Sequence, residues 1–221
     1  VEASLPWFRA MSAEDRSWIT LVAQAGIGAF VAWSRRPDAA RAITSEVFGS
    51  QAFKVGEDAS TVTGAVGEAR WTYGVSKLAG EHYLRALGAL NGFEGVALRY
   101  ANVCGPRQDP KSEAGVVSIF VSRLLAGQPL SIFGDGKQTR DYVSVKDVAR
   151  ANVLASSAAL PADADHDARG FNIATGVERT VLELAEAAGR VTGRKPELRM
   201  EAARPGEILR SALDVTKAAG V

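Results

Sequence analysis

Tyr73 and Lys77 stand four residues apart in the string Tyr73-Gly74-Val75-Ser76-Lys77. Residues at i and i+4 share one helix face, so the phenol and the ammonium can act as a pair. A free phenol has a pKa of about 10, too high for a base near neutral pH. A fixed ammonium within about 4–6 Å can lower a pKa by about 1–3. The pair therefore suits a proton acceptor for a hydroxyl group. Tyr-x-x-x-Lys alone is weak evidence, and a half-buried Tyr beside a solvated Lys is the plainer reading of it.

The elements around the pair decide what it can reach. Tyr73 to Leu90 reads as a helix ended by Asn91-Gly92. Thr44 to Gly49 reads as a short buried strand ending in a polar turn, and residues 50–70 as a loop. Val96–Tyr100, Leu130–Phe133, Tyr142–Val145 and Phe171–Ile173 read as strands. Gly115–Ala126 reads as a helix, and Ser144 with Asp147 caps another that runs to about Ala158. Residues 161–169 read as a polar surface loop. Thr180 and Glu183 form a capping box for a helix over 181–191. This alternation predicts an α/β fold with a mainly parallel sheet. In front of it, Trp18, Leu21, Val22, Ala25 and Ala29 recur at helical spacing, and Arg35-Arg36-Pro37 closes that apolar helix.

Composition narrows the function classes. The 221 residues carry 26 Lys plus Arg against 25 Asp plus Glu, a formal net charge of +1. That balance argues against a protein that coats nucleic acid. Cys104 is the single cysteine, which excludes an internal disulfide framework and predicts a reducing, cytoplasmic setting. With His82 and His166 as the two histidines, no standard structural zinc site is expected. The longest apolar stretch, Ile19 to Trp33, is shorter than the roughly 20 residues of a membrane span. No secretory leader is legible at residues 1–11.

Four further strings flank the Tyr/Lys pair. Upstream is Thr44-Ser45-Glu46-Val47-Phe48-Gly49, with Thr44 placed 29 residues before Tyr73. Downstream are Leu98-Arg99-Tyr100-Ala101-Asn102-Val103-Cys104-Gly105-Pro106-Arg107, then Ile132 to Val143, then Arg204-Pro205-Gly206-Glu207. In this order the set resembles an extended short-chain dehydrogenase/reductase, closest to nucleotide-sugar epimerases of the UDP-glucose 4-epimerase type, over about residues 42–221.

The resemblance implies roles. Tyr73 is similar to the catalytic base, and Lys77 to its partner that also bonds the nicotinamide ribose. Thr44 is similar to the residue that bonds the reacting sugar oxygen, with Ser45 as the adjacent alternative. Tyr100 resembles a residue lining the nicotinamide pocket. Asn102, Arg140 and Arg204 resemble the groups that hold the sugar diphosphate, a task suited to guanidinium forks. Val117, Ile132 and Phe133 resemble the walls of a uracil site. Plainer readings stand beside these: Arg140 as an ion pair with Asp141, Asn102 as a turn cap, Arg204 as a solvated charge. Cys104, where relatives carry Tyr, reads as a small core residue. The implied substrate is a UDP-sugar, the implied cofactor NAD, and the implied assembly a homodimer through helices like 73–90 and the one after Gly115.

NAD is normally held by a Gly-rich turn between a strand and a helix. Gly26-Ile27-Gly28 leads to Val31 where the motif asks for Gly, and Gly64-Ala65-Val66-Gly67 has no later Gly at the right spacing. Only 43 residues precede Thr44, against roughly a hundred for the implied βα units. The expectation is a front half missing from the Rossmann-like region, with impaired activity. Leu5–Arg9, Asp15–Ile19 and Leu21–Ile27 instead resemble the N-terminal segment of PucR-type transcriptional regulators over about residues 1–50, without their helix-turn-helix. The expected organisation is a helical segment of different origin at 1–40, then an incomplete catalytic and substrate-binding region at 41–221. A noncatalytic fold chimera and a regulatory protein acting through residues 1–50 are the competing readings.

Overall fold

The computed structural model describes residues 31–33, 38–68, 71–91, 94–111, 115–157 and 169–220. In chain order the elements are β1 (Val31–Trp33), β2 (Asp38–Thr44), a 3₁₀ segment (Ser45–Gln51), β3 (Phe53–Val55), α1 (Trp71–Asn91), β4 (Glu94–Tyr100) and β5 (Asn102–Cys104). There follow α2 (Val116–Leu125), β6 (Leu130–Phe133), β7 (Thr139–Ser144), α3 (Val145–Ala155), β8 (Gly170–Ile173) and β9 (Glu178–Thr180). The last are α4 (Val181–Thr192), β10 (Leu198–Glu201), β11 (Ala212–Leu213) and α5 (Thr216–Ala219).

The main sheet has the order β1-β2-β4-β8. β2, β4 and β8 run parallel, as α/β alternation predicts, and β1 adds an antiparallel edge. The parallel step from β2 to β4 needs a long crossover, and α1 supplies it. Thr44 and Tyr100 are register partners at the carboxyl ends of β2 and β4. In open α/β sheets that edge is where ligands bind.

Two expectations near the front are corrected. Val31–Trp33 is a strand paired with Ala39–Arg41, not the end of a helix, because the neighbouring strand satisfies its backbone. The other residues of the expected helix, and the PucR-like strings, lie outside the described residues. Val47 and Phe48 are fully buried as expected, but they sit in the 3₁₀ segment, not in a strand. A short apolar run does not distinguish the two by periodicity. Here the Thr44 hydroxyl accepts from the Glu46 N–H and stops the strand. Gly49 then takes a left-handed φ of 58°, where an added Cβ would meet the Val62 carbonyl oxygen at 2.3 Å. Residues 50–70 also contain a strand, β3, which pairs with β11 far along the chain.

A second body of core lies around β6, where α2 and α4 pack with Phe120, Leu124, Leu130, Ile132, Ala185 and Ala188 buried. β10 lies parallel to β6, and β7 joins β5 in parallel and β9 in antiparallel pairing. The capping box of Thr180 and Glu183 is formed as expected. Among the described residues, no helix is long and apolar enough to cross a membrane.

Candidate active site

Tyr73 lies in the first turn of α1, against the 3₁₀ segment. Gly74 makes that approach possible: a Cβ there would stand 3.0 Å from the Glu46 carbonyl oxygen. The Thr44 side chain stands beside the Tyr73 phenol and, as a hydrogen-bonding neighbour, lowers its pKa. Lys77, one turn further, is buried, and its Nζ is 5.4 Å from the centroid of the Tyr73 ring. Three residues separated by 29 and 4 positions in the chain therefore converge at the carboxyl end of β2.

The electrostatics differ from the sequence reading in one respect. The Tyr73 phenol is held above its ordinary pKa, not below it. Burial is the main cause, the Glu46 carboxylate adds to it, and the Thr44 hydrogen bond works the other way. Half of the Tyr73 side chain remains exposed, so solvent screens much of this. The sequence paired the phenol with Lys77 but had no means to place Glu46 beside it.

Tyr100 ends β4, and its hydroxyl accepts from Asn152 Nδ2 of α3 at 2.7 Å. Burial raises its pKa, and the Asn152 bond opposes that. Asn152 carried no sequence signal. Asn102, exposed at the start of β5, is the register partner of Tyr142. The Tyr142 phenol is pushed up to about 12, chiefly by burial, with Arg140 pulling down and Cys104 adding slightly. Cys104 is half-buried and its thiol is raised by burial, which agrees with a packing role.

The expected diphosphate and base contacts form a second group. Arg140 Nη1 donates to the Ile208 carbonyl at 2.7 Å, and Nη2 pairs with the Glu207 carboxylate. Asp141 faces the opposite side of β7, as strand alternation requires. It is buried and accepts from Thr175 N–H, Thr175 Oγ1 and Gly176 N–H at 2.9, 2.6 and 2.8 Å. The alternative Arg140–Asp141 pair is thus replaced by Arg140–Glu207. Arg204 lays its guanidinium over the Phe133 ring at 3.9 Å, and its carbonyl accepts from the Glu207 N–H. The turn 204–207 so brings Arg204, Phe133 and Arg140 into one group. Ile132 does not join it. Its side chain is fully buried between α2 and α4, because adjacent strand residues point to opposite faces. Val117 is half-buried on α2.

Comparison with known proteins shows relatives of this chain. The NAD dependent epimerase/dehydratase family matches residues 32–174, beginning ahead of the expected boundary near residue 42. The UDP-glucose 4-epimerase of Mycolicibacterium smegmatis is 44% identical over 146 residues, covering 66% of this chain and 45% of that protein. The UDP-glucose 4-epimerase of Bacillus subtilis is 32% identical over 161 residues, covering 66% and 47%. The chain thus spans about half the length of the curated relatives it matches. The Thermotoga maritima UDP-glucose 4-epimerase structure with UDP-glucose is 37% identical, with TM-score 0.73 over 83% of this chain and 56% of that one. The UDP-N-acetylglucosamine 4-epimerase structure from Methanobrevibacter ruminantium is 29% identical, with TM-score 0.74 over 93% and 60%. The ordered motifs, the parallel sheet and the Thr44–Tyr73–Lys77 convergence lead to one assignment: the chain belongs to the NAD dependent epimerase/dehydratase family.

Proposed function

We propose that this chain carries the proton-transfer and sugar-nucleotide part of a UDP-glucose 4-epimerase-like nucleotide-sugar epimerase. The observation that carries the reading is the meeting of Thr44, Tyr73 and Lys77 at the carboxyl edge of the sheet. Tyr73 takes a proton from a sugar hydroxyl and later returns it. Thr44 hydrogen-bonds the reacting oxygen. Lys77 sets a positive charge by the ring and favours the phenolate.

The residues present fit one end of NAD. Tyr73, Lys77 and Tyr100 would hold and line the nicotinamide ribose, because the buried Lys77 ammonium lies beside a half-exposed phenol at the strand ends. When bound, NAD supplies the hydride acceptor for the sugar carbon. Neither Gly26-Ile27-Gly28 nor Gly64-Ala65-Val66-Gly67 has the spacing of a Gly-rich turn for the dinucleotide phosphates. Asn102, Arg140 and Arg204 hold the diphosphate of a UDP-sugar, with Phe133 and Val117 beside the uracil.

Calorimetry of the chain with UDP-glucose and with NAD tests this. Binding of UDP-glucose, with weak or no binding of NAD, is the expected result. Binding of neither would overturn it and leave a noncatalytic fold. We place the protein in a reducing cytoplasm, on its single cysteine. The PucR-like strings suggest a separate source for residues 1–40; loss of a captured partner on deleting them would support a regulatory role through residues 1–50.

A further inference from the structure

Arg99 and Glu81 form a buried pair behind the site. Arg99 Nη2 meets Glu81 Oε1 at 2.7 Å and Arg99 Nε meets Glu81 Oε2 at 3.2 Å, a two-pronged contact. Their side chains are 2% and 6% exposed. Nη1 of Arg99 donates to the Glu57 carbonyl at 2.8 Å, and the Glu57 carboxylate accepts from the Asn172 N–H of β8 at 2.7 Å. A buried ion pair is poor evidence of stability, since its desolvation offsets most of the attraction. A two-pronged carboxylate–guanidinium contact does fix geometry.

What it fixes is the helix of the site. Glu81 follows Lys77 by one turn and Tyr73 by two, at about 1.5 Å rise per residue. Arg99 immediately precedes Tyr100, the register partner of Thr44. The pair thus ties α1, which carries Tyr73 and Lys77, to the strand beside the one that carries Thr44. A slip of α1 by one residue would move Tyr73 about 1.5 Å and turn it by about 100°, which breaks a hydroxyl–hydroxyl contact. The close approach of Gly74 to the Glu46 carbonyl holds the start of α1, and the Arg99–Glu81 pair holds it two turns further on.

We propose that Arg99 and Glu81 are positioning residues that set the register of α1 and so hold the Tyr73 hydroxyl against Thr44. The proposal rests on reading Tyr73 as the base, but its test needs no ligand and can fail independently of that reading.

The full chain is labelled at tyrosine Cζ, and the Tyr73 resonance is assigned with Tyr73→Phe and followed by NMR near neutral pH. Thr44→Val moves that resonance in the parent chain. In the Glu81→Gln background the displacement falls by more than half, and Arg99→Lys, which keeps the charge but loses the fork, does the same. Leu84→Ala loosens the same buried face without touching the pair and leaves the displacement intact. An undiminished displacement in both pair variants, none in the parent, or equal loss in Leu84→Ala overturns the proposal. So does failure of both pair variants to fold, which assigns the pair to stability.

Discussion

Arg140 and Glu207, 67 residues apart in the chain, meet as a half-buried ion pair, while the next residue, Asp141, faces the other side of the strand. Arg140 is therefore already oriented before any ligand arrives. In the proposed function its remaining donor capacity meets a diphosphate. Charge-assisted hydrogen bonds contribute about 1.5–3 kcal/mol. Arg140→Ala is expected to weaken UDP binding roughly 10- to 100-fold by calorimetry. Unchanged affinity would make Arg140 a tether for the 204–208 segment and nothing more.

The Tyr73 phenol gives a signed pH prediction. The Glu46 carboxylate disfavours a phenolate, and the Thr44 hydrogen bond favours it. Glu46→Gln should therefore lower the Tyr73 ionisation midpoint, and Thr44→Val should raise it. An ultraviolet tyrosinate titration, with Tyr73→Phe as the reference, reads both. Shifts of the same sign in the two variants would contradict the assigned neighbours.

Asp141 holds the 175–176 turn through three donors while almost fully buried. Asp141→Asn turns an amide NH₂ toward N–H groups that need an acceptor. A loss of about 2 kcal/mol is expected, which for a chain of this size lowers Tm by about 4–8 °C. Scanning calorimetry checks it, and an unchanged Tm would rule out the bonding scheme.

Glu178 accepts from Arg210 at 3.0 and 2.6 Å, and these bonds hold its carboxyl below the ordinary range. A carboxylate depressed in the folded state stabilises above its unfolded pKa, about 4.3, and loses that contribution as pH falls through the folded value. The Tm difference between the parent and Arg210→Ala should therefore exist near neutral pH and close as pH drops below about 4. Both side chains are partly solvated, so the difference is small. A difference that widens in acid would be the wrong sign.

On α1, Val75, Tyr83 and Leu90 are 46%, 60% and 81% exposed. Their spacings of 8 and 7 residues put them along one helix face. We propose this face as the homodimer contact. Sedimentation equilibrium should show dimers for the parent and monomers for Tyr83→Glu; a monomeric parent would refute it.

The four longer helices and the strands β4, β6, β7 and β8 were legible because their apolar residues recur at the right periods. Leu130–Phe133 and the Thr180–Glu183 capping box fall where the pattern puts them. β3, β10 and β11 were not legible, since each is short and gains its place only by pairing with a strand far along the chain. The 3₁₀ segment escaped for a different reason: Thr44 capping and the left-handed Gly49 redirect an apolar run that reads equally well as a strand.

For the site, sequence alone determined which groups are present. The spacing pointed to Tyr73 and Lys77, and the resemblance of the ordered motifs to a known family singled out Thr44, Arg140 and Arg204. The fold decided their neighbours. Glu46 beside the phenol, Asn152 on Tyr100, Glu207 on Arg140 and the removal of Ile132 from any open wall all follow from packing between distant segments. Electrostatic and hydrogen-bond energies depend on distance and burial. A one-dimensional spacing does not contain those quantities except within a single helix or strand.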